Sequence, residues 1–175
     1  MKLKQILVLT IILSLLISFN LSAKLTSPIG FWKTIDDESG EKKSIVKIWE
    51  KDKILYGKII KLFRGPNEEQ NPVCAKGSGD LTGKPMIGAT ILRGLKKEND
   101  SDWWDGGLIT DPKKGKTYHC KIRTIEQGKK LRVRGYIKAL IRIGRSQYWI
   151  RTEDPFQKLT PSVEEQKEKS SKPKK

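Results

Sequence analysis

Apolar and polar residues alternate in short runs along most of the chain, and no 3.6-residue apolar period is sustained after residue 23. A period of two turns one face of an extended chain to a core and the other to water, the pattern of half-buried antiparallel strands. Eight such runs follow one another, at 31–35, 44–49, 54–62, 86–92, 103–110, 117–124, 130–137 and 145–151. The short segments between them, such as Asp36-Asp37-Glu38-Ser39-Gly40, Asp111-Pro112-Lys113-Lys114-Gly115 and Glu126-Gln127-Gly128-Lys129, carry the Gly, Pro or Asx residues that chain reversal uses. One connection is long, from about 63 to 84, and is rich in Gly, Pro, Asn and Glu. An all-β fold follows, and hairpin connectivity favours an eight-stranded antiparallel up-and-down barrel, which closes on itself and leaves no edge. A two-sheet sandwich is the alternative, although it uses longer crossing connections.

The first residues break this pattern. Lys2 and Lys4 precede an almost purely Ile/Leu/Val run from 6 to 19, and Asn20-Leu21-Ser22-Ala23 then gives a polar break with small residues before Lys24. A charged head, an apolar centre and a small-residue cleavage site make up a secretory signal. The competing reading is a retained anchor, but a spanning helix needs about 20 apolar residues and this run is shorter. Position 24 is Lys rather than the Cys of a lipoprotein signal. The expected organisation is therefore a cleaved signal at 1–23, one β-barrel domain at 24–156 and a tail at 157–175. The tail is Lys, Glu, Ser, Gln and Pro with almost nothing apolar, a composition that cannot offset ordering entropy. No membrane span is expected once the signal is removed.

Charge changes the picture next. The chain carries a formal net charge of +16, or +14 without Lys2 and Lys4. The tail accounts for only a small part of that excess, so the domain itself is basic. Outside the cytoplasm such a surface could favour anionic envelope material, although the lysines are spread along every segment and form no stripe, as on an ordinary solvated surface.

Candidate chemistry is sparse. His119 is the only histidine, and no Asp or Ser stands at a spacing that suggests a triad. Ligand clusters with metal spacing and a phosphate-cradling Gly loop before a helix are both missing, so neither metal, cofactor nor enzymatic activity is expected. Cys74 and Cys120 could form a disulfide if the protein is exported, or both could stay free. Five tryptophans, Trp32, Trp49, Trp103, Trp104 and Trp149, either fill a core or line a ligand cavity. On the last strand Arg145, Gln147, Trp149 and Arg151 share one face. On the preceding strand Arg132, Arg134 and Tyr136 oppose Leu131, Val133, Gly135 and Ile137. If Trp149 faces inward an Arg accompanies it, and a buried guanidinium must be paired, stacked or bound to an anion.

The segments Gly30-Phe31-Trp32-Lys33-Thr34-Ile35-Asp36-Asp37, Lys84-Pro85-Met86-Ile87-Gly88, Gly107-Leu108-Ile109-Thr110-Asp111-Pro112 with Gly115-Lys116-Thr117-Tyr118, Leu131-Arg132-Val133-Arg134-Gly135-Tyr136 and Gly144-Arg145-Ser146-Gln147-Tyr148-Trp149-Ile150-Arg151 resemble domain-of-unknown-function family 2147. The resemblance spans about residues 28–153. It implies an exported bacterial protein with a barrel like those of lipocalins or fatty-acid-binding proteins, and no assigned activity. Gly30-x-Trp32 is similar to the lipocalin Gly-x-Trp, which implies that Trp32 and Trp149 belong to barrel closure with Arg151 over Trp32. Arg134-Gly135-Tyr136 is similar to the Arg-x-Tyr with which fatty-acid-binding proteins hold a carboxylate. Many relatives carry Cys-x-x-Cys in the long loop; here Ala75, Lys76 and Gly77 follow Cys74, leaving Cys120 as its one intramolecular partner.

The expectation that results is a non-enzymatic binding barrel, periplasmic or secreted, holding a small amphipathic or anionic ligand through Tyr118, Arg134, Tyr136, Arg145 and Gln147. The alternative is a filled barrel that binds an envelope polymer or protein through its basic surface and the 63–84 loop. Nucleic acid is not an expected partner, and the oligomeric state is open.

Overall fold

The computed structural model describes residues 26–138 and 143–157; the expected export signal and the tail from 158 onward lie outside them. Eight strands follow in chain order: β1 (Gly30–Ile35), β2 (Lys42–Lys51), β3 (Ile54–Leu62), β4 (Thr90–Lys97), β5 (Trp104–Asp111), β6 (Lys116–Ile125), β7 (Lys130–Ile137) and β8 (Ile143–Thr152). Each pairs antiparallel with the next, and β8 pairs with β1 through Trp32 and Arg151, so the sheet is a closed up-and-down barrel. Closure satisfies the backbone groups that a sandwich would leave along its edges. Among the described residues no helix is long and apolar enough to cross a membrane.

The period-two pattern decides what enters the barrel. Trp32, Val46, Ile48, Leu55, Leu92, Leu95, Ile122, Leu131, Val133 and Trp149 are almost wholly buried and form one core. The intervening residues, such as Lys47 between Val46 and Ile48, face water.

The fourth strand begins later than the sequence suggests. The apolar run at 86–92 is part loop: Met86 and Ala89 are buried, but the strand starts at Thr90. Pro85 has no N–H for a ladder, and Gly88 at φ +94° turns the chain out of extended geometry.

The long connection between β3 and β4 is fastened to the barrel. Cys74 donates its N–H to the Lys84 carbonyl (2.8 Å), Gly83 donates to Cys74 (3.0 Å), and Ala75 donates to Pro112 in the β5–β6 turn (2.8 Å). Arg93 on β4 holds Asp80 of the loop at 2.7 Å. The disulfide reading of the two cysteines is corrected here: Cys74 and Cys120 are both buried free thiols. The loop docks at the β5–β6 turn through Ala75 and Pro112, whereas Cys120 lies within β6, and no bridge joins the two thiols. Burial pushes both thiols above their ordinary range.

The β2–β3 hairpin turns on Asp52 and Lys53, whose φ values of 53° and 60° are left-handed. A two-residue turn of this hand matches the sheet's twist, but L side chains resist it. Lys53→Gly is therefore expected to stabilise the protein by about 0.5–1 kcal/mol, read as a higher urea midpoint with an unchanged slope.

Candidate functional site

Residues paired directly across neighbouring strands share a face of the sheet. Cys120 pairs with Gly107 and Gly135, Ile122 with Trp104 and Val133, Val133 with Gln147, and Leu131 with Trp149. Cys120, Ile122, Leu131, Val133 and Trp149 are core residues, so this face is the interior, and Arg145 and Gln147 lie on it. Tyr118 pairs with Ile109 and also faces inward.

Two expected ligand residues are elsewhere. Arg134 pairs with Lys121 and Tyr136 with His119, which places both on the outer face. The Tyr136 hydroxyl donates to Asp105 Oδ1 at 3.0 Å, and its ring stacks on His119 at 5.7 Å. The similarity of Arg134-Gly135-Tyr136 to a carboxylate clamp is thus corrected: it is Gly135 that faces the interior. Three residues match the motif, but their register in the ladder is inverted with respect to the cavity.

One end of the barrel is closed by Trp32 and Arg151. The Arg151 guanidinium carbon lies 4.1 Å from the centre of the Trp32 ring. Its Nε donates to the Gly128 carbonyl (2.6 Å), Nη1 to Ile29 (3.0 Å) and Nη2 to Ser27 (2.5 Å). The Trp32 indole donates to the Pro28 carbonyl at 2.7 Å. One side chain thereby ties the segment before β1, the β6–β7 turn and the β8 terminus over the indole. Desolvation holds the Arg151 pKa below its ordinary value, the effect expected of a guanidinium packed against an aromatic plug. Gly30 has φ +131°, and a Cβ there would meet Arg151 Nη1 at 3.0 Å, so the glycine makes room for the arginine.

The other end is lined differently. Thr34 and Ser44 face inward above Trp32 and Val46, with their hydroxyls 2.8 Å apart. Tyr118, Ile109, Gln147 and Leu62 are partly exposed although they face the interior. Gly135 packs against them: a Cβ at that position would be in ordinary contact, 3.7 Å from Tyr118 and Ile109. At the rim Arg145 pairs with Asp37 through Nε and with Glu38 at 3.3 Å. Those partners, Asp37 first, hold its guanidinium more firmly protonated. The interior therefore grades from an aromatic floor to a more polar, partly exposed end.

Three polar groups on this wall lack an internal partner. Among the described residues the Tyr118 hydroxyl and the Gln147 amide make no hydrogen bond, and the Trp149 indole N–H is buried without an acceptor. Gln147 and Trp149 are successive inward positions of β8. The residues missed in the sequence, Thr34, Ser44, Ile109 and Gly135, carry a weak signal in the same period-two count that groups Thr34 with Trp32.

Residues 30–151 match the family described as uncharacterized protein conserved in bacteria (DUF2147). The chain belongs to that family. Among solved structures it is similar to a protein of Helicobacter pylori described as "Protein HP1028 from the human pathogen Helicobacter pylori belongs to the lipocalin family". That match has a TM-score of 0.58 at 19% identity and covers 74% of this chain and 85% of the other. It places this DUF2147 member in a lipocalin-like barrel fold. No curated protein matches the chain.

Proposed function

We propose that this DUF2147 protein is an exported binding barrel of the bacterial envelope. It takes a small amphipathic or anionic molecule into the open end. The observation that carries the reading is the set of unpartnered groups on the inner wall, the Tyr118 hydroxyl, the Gln147 amide and above all the buried Trp149 N–H. A buried donor without an acceptor is costly in a finished core and useful where a bound molecule supplies the acceptor. The apolar part of the molecule would lie on Ile109 and Leu62, and its oxygen-bearing group would meet Gln147 and Trp149. Arg145, neutralised by Asp37 and Glu38, closes the lip of the mouth and is available to a carboxylate or phosphate that displaces them. The lipocalin-like fold supports the reading, because an eight-stranded barrel holds one small ligand where its own side chains do not fill the interior. The charged head, apolar run and small-residue break of residues 2–23 support the location.

The test is native mass spectrometry of the full chain purified from its own host. A co-purifying small molecule is the expected result, its occupancy cut about tenfold or more in Gln147→Leu, the scale of one lost hydrogen bond to a charged group. A ligand-free barrel whose solved interior is filled by its own side chains to the rim would overturn the proposal.

A further inference from the structure

On the outside of the barrel, β6 and β7 carry four cations on neighbouring positions. Lys121 pairs across the ladder with Arg134, and Arg123 with Arg132. Like charges set opposite one another destabilise a sheet, so this arrangement works against the fold unless something neutralises it. Trp103, just before β5, gathers three of them: Lys121 Nζ lies 4.5 Å from the ring centre, Arg123 Cζ 4.7 Å and Arg132 Cζ 5.7 Å. The indole face attracts cations but brings no negative charge.

The carboxylates nearby are few. Asp102 accepts from Arg123 Nη1 at 3.4 Å, and Asp105 accepts from the Tyr136 hydroxyl and from the Gly106 N–H. Arg132 reaches the Ser146 hydroxyl at 3.4 Å. Among the described residues the Lys121 ammonium and the Arg134 guanidinium have no hydrogen-bond or ion-pair partner. The Arg123 Nε is shielded from solvent and has no acceptor.

We propose that this wall binds a linear acidic polysaccharide, a glycan bearing carboxylates or sulfates at regular intervals. The four cations occupy two adjacent strands, about 5 Å apart across the ladder and about 7 Å apart along it. They form a strip rather than a point, which suits charges repeated along a polymer. Tyr148 continues the row beyond Arg132 and is 49% exposed, giving a flat ring on which a sugar can lie. Single-stranded nucleic acid draws its affinity from several open stacking platforms, and here the Trp103 face is already taken by cations. A bilayer is the rival occupant, since Tyr148 and the exposed Ile150 continue the outer face of β8, and the vesicle arm of the experiment decides against or for it. This surface lies on the opposite side of the wall from the barrel interior, so it stands or falls separately from the internal ligand.

The experiment measures binding of the full chain to polygalacturonate and to dextran sulfate by calorimetry. Single-stranded DNA and anionic phospholipid vesicles are run in parallel. Binding to at least one glycan is expected, weakening as salt rises from about 50 to about 200 mM. The double variant R132Q/R134Q should lose at least about tenfold in affinity, the low end for charge-assisted hydrogen bonds. R132K/R134K should retain most of it and shows that the wall still folds. The charge-matched pair K42Q/K51Q, at exposed ends of β2, should stay within about twofold of the parent. Equal losses in both neutralising pairs would reduce the effect to diffuse charge and overturn the proposal. So would no glycan binding, or tighter binding to DNA or vesicles.

Discussion

Arg151→Ala is expected to lower stability by about 2–4 kcal/mol, the sum of a lost charged hydrogen-bond set and a lost cation–π contact after partial rehydration. The guanidinium donates to the carbonyls of Ser27 and Ile29, in the segment before β1, and of Gly128, in the β6–β7 turn, and so joins both pieces of chain to β8. Truncation leaves those carbonyls at the closed end and uncovers the Trp32 ring, which is fully buried. Trp32→Ala should cost more, about 3–5 kcal/mol, because it empties the floor of the barrel and leaves the Pro28 carbonyl without its donor. The two side chains are in contact, so the double variant should cost less than the two single losses together, with a coupling of about 0.5–3 kcal/mol. Arg151→Lys should recover only part of the loss, since an ammonium can neither stack as a plane nor span three acceptors. Urea unfolding of the parent and the four variants measures all of this. Additive losses would show that Arg151 and Trp32 act separately, contrary to the geometry.

A methyl group at Gly115 should release the long loop while leaving the barrel intact. Gly115 sits in the β5–β6 turn at φ +65°, and a Cβ there would be 1.9 Å from the Lys76 carbonyl oxygen. On the other side of the same contact, a Cβ at Gly77 would be 2.5 Å from the Gly115 oxygen. Both obstacles are backbone, which cannot rotate aside, so in Gly115→Ala the loop must move. The Ala75-to-Pro112 hydrogen bond goes with it. The expected cost is about 1–3 kcal/mol.

The cysteines report where that cost falls. Cys74 belongs to the loop and Cys120 to the barrel wall, and both are buried. The thiolate is the reactive form, and burial raises both thiols, so the parent protein should resist a thiol reagent at neutral pH until it unfolds. Gly115→Ala should expose one fast thiol, Cys74, with Cys120 still protected. Mass spectrometry after brief alkylation distinguishes this from simultaneous labelling at both sites, the sign of global opening, which would refute a separately releasable loop.

Much of this protein can be read along the chain. Eight alternating runs and their turn residues suffice for an antiparallel barrel, because period two is a property of each strand alone and closure follows from the cost of open edges. The same count groups Arg145, Gln147, Trp149 and Arg151 on one face. It does not say which face is inside, and that choice reverses the meaning of every side chain on β7: Leu131 and Val133 enter the core while Arg134 and Tyr136 face outward. Packing against seven other strands makes the choice, because the face that can be filled without stranded charge is the one turned inward. The two separate thiols were hidden for a related reason. They depend on where the loop docks, and that rests on a close approach between Gly77 and Gly115 that no local pattern encodes. Strand periodicity is local and survives in the sequence; the inward face, the free thiols and the cation strip around Trp103 are long-range outcomes, settled only when the barrel closed.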